Sequence, residues 1–194
     1  MRKVALLATT LMWAWPAAAL QGEWFVDPKS ECRVWSATPA PGDTISWRGH
    51  CGNGLAEGGG MLQWFQKGKP SGRYEGQMLG GKASGRGSAA WPTGERYDGQ
   101  WRDGLPNGRG TYLYANGDRY EGEMRDGSRN GSGAETWVTG ERFEGRWAND
   151  RPQGFGVYRA FDGQTYTGDW RNGCFQQGEN HASVVATAEE CGFK

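Results

Sequence analysis

Charged side chains recur along this chain at a fixed interval. Among the residue patterns in the sequence, theirs is the strongest candidate for a binding site. Arginine and an acidic residue stand two positions apart, and the pair returns every 23 residues: Arg73 with Glu75, Arg96 with Asp98, Arg119 with Glu121, and Arg142 with Glu144. Residues two apart in a β-strand share a face. The pattern therefore predicts a column of arginines beside a column of acids. Such a face is either a solvated set of ion pairs or a zwitterionic strip that recognises lipid headgroups or a charged partner.

Catalytic and cofactor motifs are weak in this sequence. The segment 76–83 resembles a phosphate-binding loop, but Ala83 stands where Ser or Thr must hold magnesium. His50 and Cys51 suggest a Cys–His nucleophile, yet adjacent strand residues point to opposite faces. The cysteine spacings do not match a zinc site. We therefore expect no enzyme activity, no cofactor and no metal.

Aromatic residues form a second repeating set. Trp64, Trp91, Tyr114 and Trp137 stand at corresponding positions near the end of a second predicted strand. We interpret them as core residues. If one face of the sheet is open, however, they form a ladder that could stack on sugars. The candidate binding residues are therefore Arg96, Asp98, Arg119, Glu121, Arg142, Glu144, Trp91, Tyr114 and Trp137.

The elements that must position these residues follow a strict repeat. An aromatic residue recurs every 23 residues, at Tyr74, Tyr97, Tyr120, Phe143 and Tyr166. Glycine always follows two positions later, and Met or Trp two positions after that. A fixed period of this size is typical of stacked supersecondary units rather than of one globular core.

The residue pattern within one repeat predicts two antiparallel strands. Tyr97, Gly99 and Trp101 alternate with polar residues, as in a half-buried strand. The second strand carries Gly108 and Gly110, and the segment 105–107, which contains proline, is predicted to be the turn. Asn116-Gly117 predicts a mirror-image hairpin turn with two positive φ angles. Positive φ is also expected at Gly104 and at its equivalents, Gly81, Gly127, Asp150 and Gly173.

The pattern Tyr-x-Gly-x-Trp-x-x-Gly-x-x-x-Gly-x-Gly, which runs from Tyr97 to Gly110, resembles the MORN repeat (membrane occupation and recognition nexus). It recurs at 74–87, 120–133 and 143–156, begins again at Tyr166, and has a degenerate copy at 47–60. The resemblance implies an all-β, elongated array of antiparallel β-hairpins. It also implies roles in assembly and interaction, sometimes at membranes. The chain looks most like small exported bacterial proteins of this type.

The N-terminal segment of the chain predicts export. Residues 1–19 combine a basic start, a short apolar run and a small-residue cleavage site after about Ala19. Removal of this signal peptide leaves 20 basic and 22 acidic residues, a net charge of −2. A nearly neutral chain argues against nucleic acid as a partner.

The four cysteines bracket the repeats and suggest disulfide-bonded ends. Three connectivities are open. We favour Cys32–Cys51 and Cys174–Cys191, because a rigid array would hold the two ends far apart. The predicted organisation is an N-terminal cap at 20–46, the repeat array at 47–173 and a C-terminal cap at 174–194.

These observations predict a non-enzymatic repeat protein in the periplasm or outside the cell. We expect its array to be a protein-binding or scaffolding surface. The alternative is an envelope component, either phospholipid headgroups or cell-wall glycan. Homo-oligomers could form through the terminal strands, since a sheet edge offers unpaired backbone groups.

Overall fold

The computed structural model describes residues 22–193, which form fifteen β-strands and no helix. The predicted signal peptide lies outside the described residues. Within them, no helix is long and apolar enough to cross a membrane. The strands are β1 (Glu23–Val26), β2 (Arg33–Ser36), β3 (Asp43–Gly52), β4 (Leu55–Gln66), β5 (Lys69–Leu79), β6 (Lys82–Ala90), β7 (Arg96–Arg102), β8 (Leu105–Leu113), β9 (Arg119–Arg125), β10 (Ser128–Thr136), β11 (Arg142–Ala148), β12 (Arg151–Arg159), β13 (Thr165–Arg171), β14 (Cys174–Gln177) and β15 (Asn180–Ser183).

All fifteen strands belong to one open sheet, which confirms the predicted all-β hairpin array. From β3 to β15 each strand pairs antiparallel with the next, as expected for successive hairpins. The hairpin of β1 and β2 joins β4 at its end through a parallel contact between Arg33 and Leu55. The repeats therefore build a ribbon that advances by two strands per unit.

A row of glycines crosses the ribbon and explains why the repeat needs them. Gly99 lies opposite Gly87 on one side and Gly110 on the other. The ring of Tyr97 lies across Gly99 and Gly110, because a Cβ added at either glycine would come within 2.5 Å of the Tyr97 hydroxyl oxygen. The Tyr97 hydroxyl donates a hydrogen bond to the carbonyl of Gln100 at 3.0 Å. Glycine at these two positions therefore makes room for the Tyr97 ring.

Each repeat hairpin closes at a two-residue turn with positive φ angles. Asp103 has φ 52° and Gly104 has φ 83°, the combination of a mirror-image turn. Positive φ is confirmed at all five predicted positions. The predicted turn at 105–107 was wrong, because the turn at 103–104 is already complete and β8 begins at Leu105. Pro106 lies within this strand, opposite Trp101 and next to a β-bulge.

The connection at Asn116-Gly117 is a hairpin loop of a different type from the one predicted. Only Gly117 has a positive φ, 94°. The amide of Gly117 donates to the carbonyl of Tyr114, and the amide of Tyr114 donates to the carbonyl of Asp118, each at 2.9 Å. This geometry fits a longer loop built around an ordinary turn followed by a left-handed residue.

The core is a line of aromatic rings on one face of the sheet. Trp101 packs edge-on between Tyr74 and Tyr97, with ring centroids 5.2 and 5.3 Å away. Its indole nitrogen donates to the carbonyl of Gly87 at 2.9 Å. Two repeats further along the chain, Trp147 packs in the same way against Tyr120 and Phe143. Edge-to-face ring pairs add stability beyond the area they bury.

Disulfides hold both ends, in the connectivity that the sequence favoured. Cys32 is bonded to Cys51 and Cys174 to Cys191. The N-terminal hairpin does more than cover the end strand, because it runs back along the turn edge of the ribbon. The amide of Trp35 donates to the carbonyl of Gly81 at 2.8 Å. The ring of Trp35 lies on Gly104, within 2.5 Å of where a Cβ would be.

Candidate functional site

The nine candidate binding residues lie on opposite faces of the ribbon. Along β7, Arg96, Asp98 and Gln100 are exposed, whereas Tyr97 and Trp101 are buried. We call the first side the charged face and the second the aromatic face. The six charged candidates lie on the charged face. Trp91, Tyr114 and Trp137 pack against the buried core of the aromatic face.

The predicted columns of the charged face form as expected from the register. Arg96 lies opposite Leu113, which lies opposite Arg119, so successive arginines of the column are two strands apart. Strand spacing then separates them by ~9.6 Å. Arg119 reaches Glu121 at 2.7 Å, and about half of each side chain remains exposed (48% and 62%).

The other members of the columns complete the pattern with one exception. Arg142 reaches Glu144 at 3.0 Å, and Arg73 pairs with Glu75. Arg96 and Asp98 make no ion pair with any residue that the structure describes. Exposed ion pairs of this kind each contribute roughly 0–1 kcal/mol to stability. The columns therefore do little to hold the fold together.

A shallow depression follows the glycine row on the charged face. It has a volume of about 920 Å³, and its floor includes the backbone of Gly110 and Gly122. Asp98 and Glu121 line one side, and Arg109 lines the other. Arg109 reaches Glu123 across the sheet at 3.6 Å. Acids and arginines are mixed around the depression, since Arg109 lies beside Glu123 and Arg142 lies on the same side as Glu144.

The aromatic ladder is not an open surface. Trp91 stacks on Tyr112 with ring centroids 5.7 Å apart and planes 22° apart. Tyr114 contacts the same Tyr112 ring at 4.6 Å, and Trp137 meets Tyr158 edge-on at 6.2 Å. Burial raises the pKa of the Tyr114 hydroxyl well above its usual range. The ladder forms the half-buried margin of the core, as the first interpretation of it predicted.

Sequence reasoning missed a buried ionic cluster in the third repeat. Arg129 and Glu135 form an ion pair on the aromatic face, with side-chain exposures of only 9% and 5%. Asp150 accepts hydrogen bonds from the Arg129 amide at 2.8 Å and from its Nε at 3.2 Å. The Arg129 guanidinium also lies 4.4 Å over the Trp147 ring. Burial raises the pKa of Glu135 to about 7, although Arg129 acts in the opposite direction.

A signal for this cluster was present in the repeat alignment. Glu135 stands at the position of Tyr112 and Tyr158, and Arg129 stands at the position of Pro106. Asp150 was recognised as the one break in a column of glycines, but its partner was not. Because Arg and Glu are common on protein surfaces, neither side chain suggested a core position.

The described residues contain no group of three or more metal-ligating side chains placed to hold an ion. The 23-residue period, the paired hairpins and the glycine row together define the repeat type. Residues 74–165 are similar to four consecutive MORN repeats. The MORN repeat model matches them at 74–96, 97–119, 120–142 and 143–165. A comparison with curated proteins gives no match.

MORN repeats generally serve as binding and interaction modules, and they are not a known enzyme family. All nine candidate binding residues lie within residues 74–165, which match this family. The charged face offers evenly spaced, accessible and chemically specific groups. On the aromatic face, the candidates Trp91, Tyr114 and Trp137 pack against the core. The disulfides are consistent with an oxidising environment outside the cytoplasm.

Proposed function

We propose that this protein is an exported, non-enzymatic scaffold that binds a protein partner through its charged face. The observation that carries the proposal is the difference in exposure between the two candidate surfaces. Arg119 and Glu121 project from the sheet with about half of each side chain accessible. Trp91, Tyr114 and Trp137 are packed against the core. A glycan-binding ladder needs open rings, whereas a protein or a headgroup can be recognised by charges.

The stiffness of the array supports the same proposal. In residues 74–165 each unit is fixed by a tyrosine or phenylalanine ring over glycine on one face, so the charges on the other face keep their spacing of ~9.6 Å. Arginine and carboxylate at fixed spacing favour a partner with complementary alternating charge, because complementarity sets specificity and association rate more than affinity. The nearly neutral net charge argues for local matching rather than for bulk attraction.

Charge reversal on one column tests this proposal. The variant Arg96→Glu, Arg119→Glu and Arg142→Glu reverses three of the four charges in the arginine column. A matched control, Lys29→Glu, Lys67→Glu and Lys69→Glu, makes the same change in net charge at exposed positions outside it. Each protein is expressed in the cells of origin, and copurifying material is identified by mass spectrometry.

We expect the wild type and the lysine control to retain one discrete protein, and the arginine-column variant to lose it. Loss in both variants would show that net charge, not the column, is recognised. Retention of lipid or wall material alone would replace the proposed partner with an envelope component.

A further inference from the structure

The first MORN repeat lacks two bulky side chains that other repeats place on the aromatic face. Tyr112 and Tyr158 occupy one repeat position, where the first repeat has Ala89. Ala89 lies between Tyr74 and Tyr97 in the sheet, so a ring is missing from the row. At a second position the first repeat has Ala83 instead of the proline of the second and fourth repeats.

A cavity of about 460 Å³ occupies this part of the aromatic face. Ala83 and Ala89 line it, together with the aromatic side chains of Trp35, Trp64, Trp91, Trp101, Tyr74 and Tyr112. Small-molecule sites in proteins typically enclose about 300–1,000 Å³. The volume therefore suits one compact organic molecule.

The N-terminal cap supplies a wall of the cavity and fixes its shape. Residues 35–38 of the cap line it opposite the repeats. Trp35 is held by its backbone hydrogen bond to Gly81 and by the seating of its ring on Gly104. The Cys32–Cys51 disulfide anchors this segment to β3. The cavity is thus part of the capped fold, and it does not depend on the array alone.

The lining chemistry selects the class of ligand. Most of the wall is apolar, and the charged residues that contribute to it, Asp43, Arg73 and Glu95, do not share one sign. A sugar or an ion would leave polar groups without hydrogen bonds, which costs several kcal/mol. Indole and phenol rings on several sides favour a flat ring by offset or edge-on stacking.

We propose that this cavity binds one neutral, largely apolar, ring-containing small molecule. The cavity lies on the aromatic face, and of the two charged columns only Arg73 is among its lining residues. The proposal does not rest on the proposed protein partner. The small side chains of Ala83 and Ala89 in the first repeat leave the cavity open, and the N-terminal cap covers it. The ligand would stabilise the N-terminal part of the array, since it binds only the folded form.

Fluorescence titration with N-phenyl-1-naphthylamine, a neutral aromatic fluorophore, tests the proposal. Ala89→Tyr introduces the side chain that the second and fourth repeats carry and fills the cavity. Ala134→Tyr adds the same ring at a position on the charged face and is the matched control. We expect one saturable site in the wild type and the control, and at least a roughly tenfold weaker affinity in Ala89→Tyr.

A second variant guards against a misfolded Ala89→Tyr protein. Ala83→Pro introduces the proline that stands opposite Trp101 in the second repeat, a strand position that the fold already accepts. It should also weaken binding while thermal unfolding shows an intact array. Equal binding by wild type, Ala89→Tyr and Ala83→Pro would overturn the proposal, as would the absence of saturable binding to the wild type.

Discussion

The two faces of the ribbon share one backbone and differ in what their side chains do. Tyr120 on the aromatic face is fully buried, lies across Gly122 and Gly133, and donates to the carbonyl of Glu123 at 2.8 Å. Arg119, its neighbour in sequence, reaches only Glu121 and remains 48% exposed. Two neighbouring residues of one strand therefore have different roles. The Tyr120 side chain stabilises the fold, whereas the Arg119 side chain is free to bind.

This division explains how a single-layer sheet can be both stable and functional. Stability comes from rings that cover glycines and one another on the aromatic face. The charged face contributes little to stability, since exposed ion pairs are weak. Its residues can therefore be matched to a partner without a large cost to folding.

The largest expected effect comes from removing a ring. Tyr120→Ala should lower the free energy of unfolding by about 3–5 kcal/mol, because it opens a cavity over the glycine row. Arg119→Ala, the neighbouring position on the other face, should change it by at most about 0.5 kcal/mol. Urea unfolding followed by tryptophan fluorescence measures both. Equal losses at the two positions would break the comparison between the faces.

The ionic cluster places buried charge on the aromatic face. Glu135→Leu should lower the free energy of unfolding by about 3 kcal/mol, because it leaves the buried Arg129 with Asp150 as its only carboxylate partner. The triple variant Arg129→Pro, Glu135→Tyr and Asp150→Gly installs what the second repeat carries at these positions. It should unfold at the same or a higher urea concentration than the wild type. A triple variant as unstable as Glu135→Leu would show that the repeats are not interchangeable.

Reduction of the disulfides should expose the ends of the aromatic face before its middle. Each loop closure contributes about 3 kcal/mol in the chain-entropy model. Hydrogen exchange after reduction should therefore rise first in β1, β2, β14 and β15, while the strands of residues 96–142 stay protected. A uniform rise along the chain would instead indicate that the array unfolds as one unit.

The smallest expected effect is a pH dependence set by Glu135. Its pKa of about 7 in the folded protein lies above its ordinary value of 4.5. The folded state therefore keeps a proton that the unfolded state releases between these values, and the free energy of unfolding falls as pH rises from 4.5 to 7. We expect a fall of about 2–3 kcal/mol.

Glu135→Gln removes this titration and serves as the control for the pH series. Urea unfolding of the variant should show a flatter dependence between pH 4.5 and 7 than the wild type. A dependence equally steep in the variant would assign the effect to other groups.

The repeat architecture could be predicted from sequence because each feature recurs. The paired strands of each hairpin and the positive φ at Gly104 follow from spacing and residue type, and the favoured disulfide pairing follows from the stiffness expected of the array. The prediction of a turn at 105–107 was wrong because it rested on Pro106 as a turn signal. The turn is made by Asp103 and Gly104. A proline beside a β-bulge can occupy a strand.

The ionic cluster and the apolar cavity depend on register, which the sequence does not state directly. Glu135 and Ala89 fall at one repeat position, but only the pairing of strands shows that this position faces the core. The same pairing brings Arg129 close to Asp150, which is 21 residues away. Positions that depart from the repeat pattern can thus be found in the sequence. The contacts that the departing side chains make are found only in the structure.

Photo-crosslinking in intact cells tests the central claim most directly. A photoreactive amino acid replaces Arg96 or Arg119 on the charged face. A third variant carries it at Val138, which is 65% exposed beside Trp137 and serves as the control. We predict one discrete protein adduct from Arg96 and Arg119 and none from Val138. Adducts to lipid or wall material alone, or the same adducts from all three positions, would contradict the claim that the charged face binds a protein.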